Sequence, residues 1–396
     1  MILAMGRVDL ENKKFKIFRE SLLALQRGLG GLLAGSIAAY WIFTLTVYYW
    51  TVMLYPMIIS VRGAINGILS GRLSTGLHLK LINPRLGGNT RYFHAILAAL
   101  FTTTLFMSIL GGLIIFLLSY ILYNLELECF LVIVSVAMVS QYATTLITEP
   151  LTSLLSFMLY RRGVDPDVVT YPISSTITDV VATFLYILTL LSVVEGYVWM
   201  LFFLTIVFIA VTIRIIFMFK RDEDYGKILR EAIPTICIIA LISTIGGIFL
   251  SRIKHTIEEK PGIMVVYPAL IDTIGDIGAS FGSICTTRIM LGLIESRIRD
   301  ILKLLWEILQ IASAAFIMFT FYSFISYITG GGLHSMLAIL LTFPLITPMT
   351  IIFSFVMATV TFRFGLNPDD FVIPLETTFT DATLTVILSS ILYIMV

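Results

Sequence analysis

The chain has 396 residues, of which 58% are hydrophobic and 13% charged, with a net charge of +1. Its mean hydropathy is +0.98, whereas soluble domains run at roughly 45–50% apolar and about 25% charged. This balance excludes a large soluble domain, and the near-zero charge lacks the basic footprint of a nucleic-acid binder.

Runs of about 20 apolar residues recur along the chain, each long enough to cross a hydrocarbon core of about 30 Å. Residues 1–20 carry Arg7, Lys13, Lys14, Lys16 and Arg19. They predict a cytosolic amphipathic lead rather than a cleavable signal peptide. Spans are predicted at 21–43, 49–71, 93–122, 129–159, 169–193, 196–219, 232–251, 263–293, 304–328, 335–361 and 371–395. The fold class is an all-α polytopic membrane protein of about eleven transmembrane helices. Loop Lys and Arg gather on one side: Lys80, Arg85, Arg91, Arg161, Arg162, Lys220, Arg221, Lys227, Arg230 and others. The opposite side has only Arg252, Lys254 and Lys260. The positive-inside rule then puts the N-terminus in the cytosol and the C-terminus outside, in the plasma membrane. Cys129, Cys237 and Cys285 lie in or beside apolar segments and read as packing residues.

One stretch occurs twice. Pro166, Asp167, Pro172, Thr176, Thr178, Asp179 and Thr183 recur 202 residues later as Pro368, Asp369, Pro374, Thr378, Thr380, Asp381 and Thr385. Each copy predicts a helix start, with Asp165 or Asn367 as N-cap and proline at the first helical position. A second similarity links Tyr55-Pro56…Gly63 to Tyr267-Pro268…Gly275. The chain therefore divides into two parallel five-helix repeats, 21–193 and 232–396, joined by a linker helix and loop at 194–231. Span six returns the chain across the membrane, so the repeats run the same way.

Each duplicated helix carries one carboxylate in apolar sequence, and an ionised Asp at mid-bilayer costs roughly 2.5–3.5 kcal/mol on insertion scales. Asp179 and Asp381 are thus the leading metal-site candidates. Thr176 and Thr183 share the face of Asp179, and Thr378 and Thr385 that of Asp381. Prolines inside helices free a carbonyl one turn earlier, and the Gly63-Ala-Ile-Asn66 and Gly275-Asp276 segments let backbones approach closely. Freed carbonyls with carboxylates suit a hard cation. Asp272 and Asp276, one turn apart and present only in the second repeat, are further metal candidates. Gly63, Asn66, Gly275, Thr176, Thr183, Thr378 and Thr385 are pore-lining candidates, with Glu149 and Glu376 as weaker ones. The competing structural reading pairs the aspartates with Arg62, Arg214 or a backbone donor. A largely hydrated Mg²⁺ fits two carboxylates and a wide neck better than Ca²⁺, which takes more direct oxygen ligands, or Zn²⁺, which takes His or Cys.

The run Tyr55-Pro56…Gly63…Gly71-Arg72-Leu-Ser-Thr75 and the run Tyr160-Arg-Arg-Gly-Val-Asp165-Pro…Pro172…Asp179 resemble the paired signatures of the MgtE family of magnesium transporters and channels. The second run repeats from Phe362 to Asp381. The likeness is to two-copy members, including the animal solute-carrier relatives, and covers nearly all spans but the linker. It implies one pore on a two-fold axis, a hydrated Mg²⁺ held by Asp179 and Asp381, and backbone oxygens near Gly63 and Gly275. The chain departs from the family's Gly-Asn with Gly63-Ala64 and Gly275-Asp276, which puts the ion preference in question. The expected function is transport of Mg²⁺ or other divalent cations across a lipid bilayer by a single-chain pseudo-dimer, with no catalytic residue and no cofactor. The alternatives are a Na⁺- or H⁺-coupled Mg²⁺ exchanger on the same scaffold and, remotely, an intramembrane aspartyl protease, invited by Gly275-Asp276 and Pro268-Ala-Leu270. The protease family's first Gly is replaced here by Thr273.

Overall fold

The computed structural model describes residues 16–163, 166–290, 293–294, 298–363 and 368–395. The lead at 1–15 and the expected N-caps Asp165 and Asn367 lie outside the described residues, as do the side chains of Pro172 and Pro374. The described residues form helices joined by turns and short irregular connections, and no strand occurs among them. Nine helical stretches among the described residues are long and apolar enough to cross a membrane. The protein is therefore an all-α, multi-pass membrane protein.

The opening segment is a chain of short pieces. They are α1 (Lys16–Leu25), a 3₁₀ turn (Gln26–Gly30), α2 (Gly31–Tyr40) and α3 (Ile42–Leu45). A span was expected at 21–43. Glycine weakens a helix interior by roughly 0.5–1 kcal/mol relative to alanine, and Gly28, Gly30 and Gly31 fall together here.

The long helices follow: α4 (Tyr49–His78), α5 (Arg91–Tyr123), α6 (Cys129–Arg161), α7 (Pro166–Val194), α8 (Val198–Phe219) and α9 (Glu223–Arg252). After the short α10 (Lys254–Glu259) come α11 (Gly262–Met290), α12 (Leu305–Ser326), α13 (Gly332–Arg363) and α14 (Pro368–Met395). Residues 299–360 register as one apolar helical stretch, yet the chain reverses inside it. Phe319 of α12 and Phe343 of α13 bring their ring centroids within 5.3 Å. That contact requires a hairpin closed at Tyr327–Gly331, where Gly330 takes a φ of 95° that a side chain would resist. Both α7 and α14 begin on proline, as the sequence predicts.

Two compact units result. One is Leu33–Glu259; the other joins the residues up to Leu32 with those from Lys260 onward. These boundaries differ from the expected repeat boundaries of 21–193 and 232–396: residues up to Leu32 fall with the later part of the chain, and α9 falls with the earlier part. In the Leu33–Glu259 unit, α9, expected to open the second repeat, packs along α4 and α5. Gly247 makes this close approach possible, since a Cβ there would strike the Met53 carbonyl. In the other unit, α1, from the start of the chain, packs along α12 and α11. Gly31 does the equivalent work, since a Cβ there would lie 2.7 Å from the Ala269 nitrogen.

Helix α8 buries only Leu201 and Thr212. Its outward Trp199, Phe203, Ile206 and Phe217 form an apolar surface of the kind lipid covers.

Candidate functional site

The two aspartate helices are alike. Asp179 and Asp381 each stand 13 residues beyond the opening proline of α7 and α14, roughly 20 Å along a helix that rises 1.5 Å per residue. Asp179 is 3% exposed, while Asp381 is partly exposed.

Each aspartate helix is fastened to the proline-bearing helix of its own repeat by a matching hydrogen bond. Tyr55 on α4 meets Thr183 on α7 at 3.1 Å. Tyr267 on α11 meets Thr385 on α14 at 2.8 Å. The threonine lies one turn beyond the aspartate in both cases, so the bond holds the helix at the depth of the carboxylate. Thr183 and Thr385 are buried anchors for these tyrosines. Thr378 is also buried, and Thr176 is half-buried. The tyrosines were legible only as a repeated Tyr-Pro pair. Their partners needed the fold.

A second fastening has been rebuilt. In the first repeat, Asn66 of α4 donates to Ser174 of α7 at 2.9 Å and accepts from Thr152 of α6 at 2.9 Å. One amide thereby ties three helices. In the second repeat the position of Asn66 is Gly278, that of Ser174 is Glu376, and that of Thr152 is Ser354. Ser354 donates to Glu376, and a Cβ on Gly278 would collide with the Glu376 carboxylate. Glu376 is fully buried and occupies the room that the glycine leaves. It thus sits in the packing of α11, α13 and α14.

The glycine motifs differ too. Gly63 has no side-chain or foreign backbone atom within 4 Å of where a Cβ would be, whereas Gly275 lies close to Thr377, at 3.3 Å. Asp272 lies under the opening segment: a Cβ on Gly31 would be 3.0 Å from its Oδ2, and one on Gly28 would be 3.5 Å from its Cβ. The neighbouring Thr273 donates to the Tyr322 hydroxyl at 3.2 Å. Both Asp272 and Asp276 bear electrostatically on Tyr322 of α12.

Arg62 is not the partner of an aspartate. It is 1% exposed and donates to Thr145 at 2.5 Å and Thr104 at 2.9 Å. The opposite charge bearing on it is Glu149. Arg214 is exposed on α8. Among the described residues no three His, Cys, Asp or Glu side chains gather as a metal cage.

The sequence model of one family, MgtE, described as "Divalent cation transporter", matches residues 55–189 and 267–391. The two matched regions begin on Tyr55 and Tyr267 and include both aspartate helices. No curated protein and no solved structure matches the chain.

Proposed function

This chain belongs to the MgtE family of divalent cation transporters, and from that premise we propose that it carries Mg²⁺ along a path to which each repeat contributes one aspartate, Asp179 and Asp381. The duplicated Tyr–Thr bond beside each aspartate is the observation that supports this reading most. It keeps the same carboxylate at the same depth in two repeats whose other polar residues have drifted apart. A carboxylate in a bilayer is costly and most often serves an ion path.

Mg²⁺ gives up water reluctantly and is commonly held by one or two carboxylates with several waters retained. Two aspartates, supplemented by backbone oxygens near Gly63 and Gly275, suit such an ion. One chain supplies both halves and works as a pseudo-dimer in the plasma membrane, with its N-terminus in the cytosol and its C-terminus outside. No residue is assigned a catalytic role.

A second reading, exchange against Na⁺ or H⁺, draws on Asp272 and Asp276. They are carboxylates that the first repeat lacks, having Ser60 and Ala64 there. The deciding experiment is Mg²⁺ flux into liposomes holding a Mg²⁺-sensitive dye, with and without an opposing Na⁺ gradient. Flux that ignores Na⁺ and disappears in Asp179→Asn supports a channel-like path. Flux that needs the gradient supports exchange. Undiminished flux in the double variant Asp179→Asn, Asp381→Asn would refute the site.

A further inference from the structure

The first repeat contains buried polar groups that the proposed ion path does not use. On α4, Asn66, Ser70 and Ser74 recur at one-turn intervals and are at most 5% exposed. On α7, Thr170, Ser174 and Thr178 do the same, at 2% exposure or less. On α6, Glu149, Thr152 and Ser156 form the third stripe. Helices α4, α6 and α7 pack against one another in pairs, and the Asn66 bonds to Ser174 and Thr152 show that the three stripes meet.

Many of these groups find no protein partner. The hydroxyls of Ser70, Ser74, Ser156, Thr170 and Thr178 lack one among the described residues, and so do both oxygens of Glu149. A hydroxyl in a helix can bond back to its own backbone, as Thr148 and Ser153 do on the same helix. Buried polar atoms without protein partners are characteristically satisfied by ordered water. Glu149 is 3% exposed. It stands one turn from Thr145, which binds Arg62, and three residues before Thr152, which binds Asn66. The carboxylate therefore closes the inner end of the three stripes. Their other end runs toward the ends of α4 and α6, where Lys80, Arg85, Arg161 and Arg162 lie in the sequence.

The second repeat has buried partnerless groups of its own, at Thr347, Thr350, Thr359 and one Glu376 oxygen, but no carboxylate at the position of Glu149. Glu149 is replaced by Ile351, Ser153 by Phe355, Ser156 by Ala358 and Arg62 by Ile274. Phe355 is 1% exposed and fills the space with a ring. Thr380, which replaces Thr178, turns its hydroxyl back to the Glu376 carbonyl at 2.9 Å.

We propose that the first repeat holds a proton-binding site at Glu149, reached from the basic end of its unit through a water-filled polar seam between α4, α6 and α7. Hydronium gives its proton to a Glu149 oxygen and becomes water; the carboxyl returns the proton by the same route. The fixed charge of Arg62 opposes any cation, but a proton forms a covalent O–H bond with one carboxylate oxygen, whereas a metal ion would need several oxygen ligands gathered beside that charge. The other elements around α6 add little charge. Helix α5 presents the Thr104 hydroxyl and has its charged groups, Arg91 and His94, at its start. Helix α8 has only the exposed Arg214, and α6 itself adds Tyr142 and, at its end, Arg161. Helix α7 brings Asp179 and, outside the described side chains, Asp167. As a regulator of Mg²⁺ movement the site rests on the proposed transport function; as a proton site it does not.

Infrared difference spectroscopy of the purified protein in liposomes, without Mg²⁺, tests it directly. Acidification between about pH 8 and pH 5 should raise a protonated-carboxyl band that is missing in Glu149→Gln and shifts on exchange into D₂O. Ser156→Ala, which installs the second repeat's residue with little change of volume, should slow that exchange several-fold. Ser153→Phe should nearly stop it. A wild-type spectrum identical to that of Glu149→Gln would overturn the proposal, as would a band that Na⁺ abolishes at constant pH. Unchanged exchange in Ser156→Ala would overturn the seam. A protein that moves no Mg²⁺ but keeps the Glu149 band would refute the transport reading and leave the proton site standing.

Discussion

Asn66 in the first repeat and Glu376 in the second hold the same three-helix junction from opposite helices. In the first, the polar side chain comes from the proline-bearing helix, and the aspartate helix offers a small serine. In the second, the aspartate helix supplies the long side chain and the proline-bearing helix has shrunk to glycine. The Tyr–Thr bonds, by contrast, are the same in both. A buried junction needs a polar group of the right reach in a fixed volume, and it matters little which helix provides it. Where the group must also set the depth of a carboxylate, both copies have kept the original pair.

The comparison can be broken at several places. The largest effect belongs to the aspartates themselves: Asp179→Asn with Asp381→Asn should abolish Mg²⁺ flux into liposomes while leaving the detergent-solubilised protein folded. Next is the rebuilt junction. Gly278→Asn adds a side chain where Glu376 already lies and should destabilise the protein by about 1–3 kcal/mol, the usual cost of overpacking. Adding Glu376→Ser recreates the first repeat's arrangement and should restore most of the loss, read as the thermal unfolding midpoint in detergent. Failure of that rescue would mean that the two junctions are not equivalent.

Asn66→Ala strips Thr152 and Ser174 of their shared partner. Its cost should be about 1–3 kcal/mol if those hydroxyls stay dry, and less if water enters the seam. Tyr55→Phe and Tyr267→Phe each remove one buried hydrogen bond. Each should cost about 1 kcal/mol, equally in the two repeats, and should slow Mg²⁺ flux through the neighbouring aspartate helix.

The smallest effect lies at the α9 start, where Asp222 accepts from Arg91 at 2.6 Å and caps the helix through the Tyr225 amide at 3.2 Å. The Arg91 bond, foremost, holds the Asp222 carboxyl below its ordinary 3.8. Because the folded state releases this proton more readily, the contribution is complete above that value. It is lost as pH falls through the lowered one. Arg91 is 74% exposed, so the pair is worth at most about 1 kcal/mol. Asp222→Asn should therefore lower the unfolding midpoint slightly at neutral pH and merge with wild type in strong acid.

How far the candidate site could be read from sequence differs by residue. Asp179 and Asp381 stood out because a carboxylate in apolar sequence is costly and these two recur at one offset. Thr183 and Thr385 were found by the same offset, but their role as anchors for Tyr55 and Tyr267 depends on a helix more than a hundred residues away. Glu149 and Glu376 read as weak pore candidates. The fold gives them interior positions in different repeats, one over Gly278 and one at the end of a polar seam. Arg62 looked like a possible counter-charge for an aspartate; its guanidinium instead bonds Thr104 and Thr145.

The sequence by itself determined the membrane class, the long apolar helices, the duplication and the family. These depend on composition, run length and local spacing, which need no tertiary contact. Only the tertiary structure decided that α9 packs along α4 and α5, and α1 along α12 and α11. It alone revealed that Glu376 replaces Asn66 at the three-helix junction. Each of these turns on where distant backbones come close enough to touch. Steric fit at glycines such as Gly31, Gly247 and Gly278 governs that approach, and hydropathy carries no record of it.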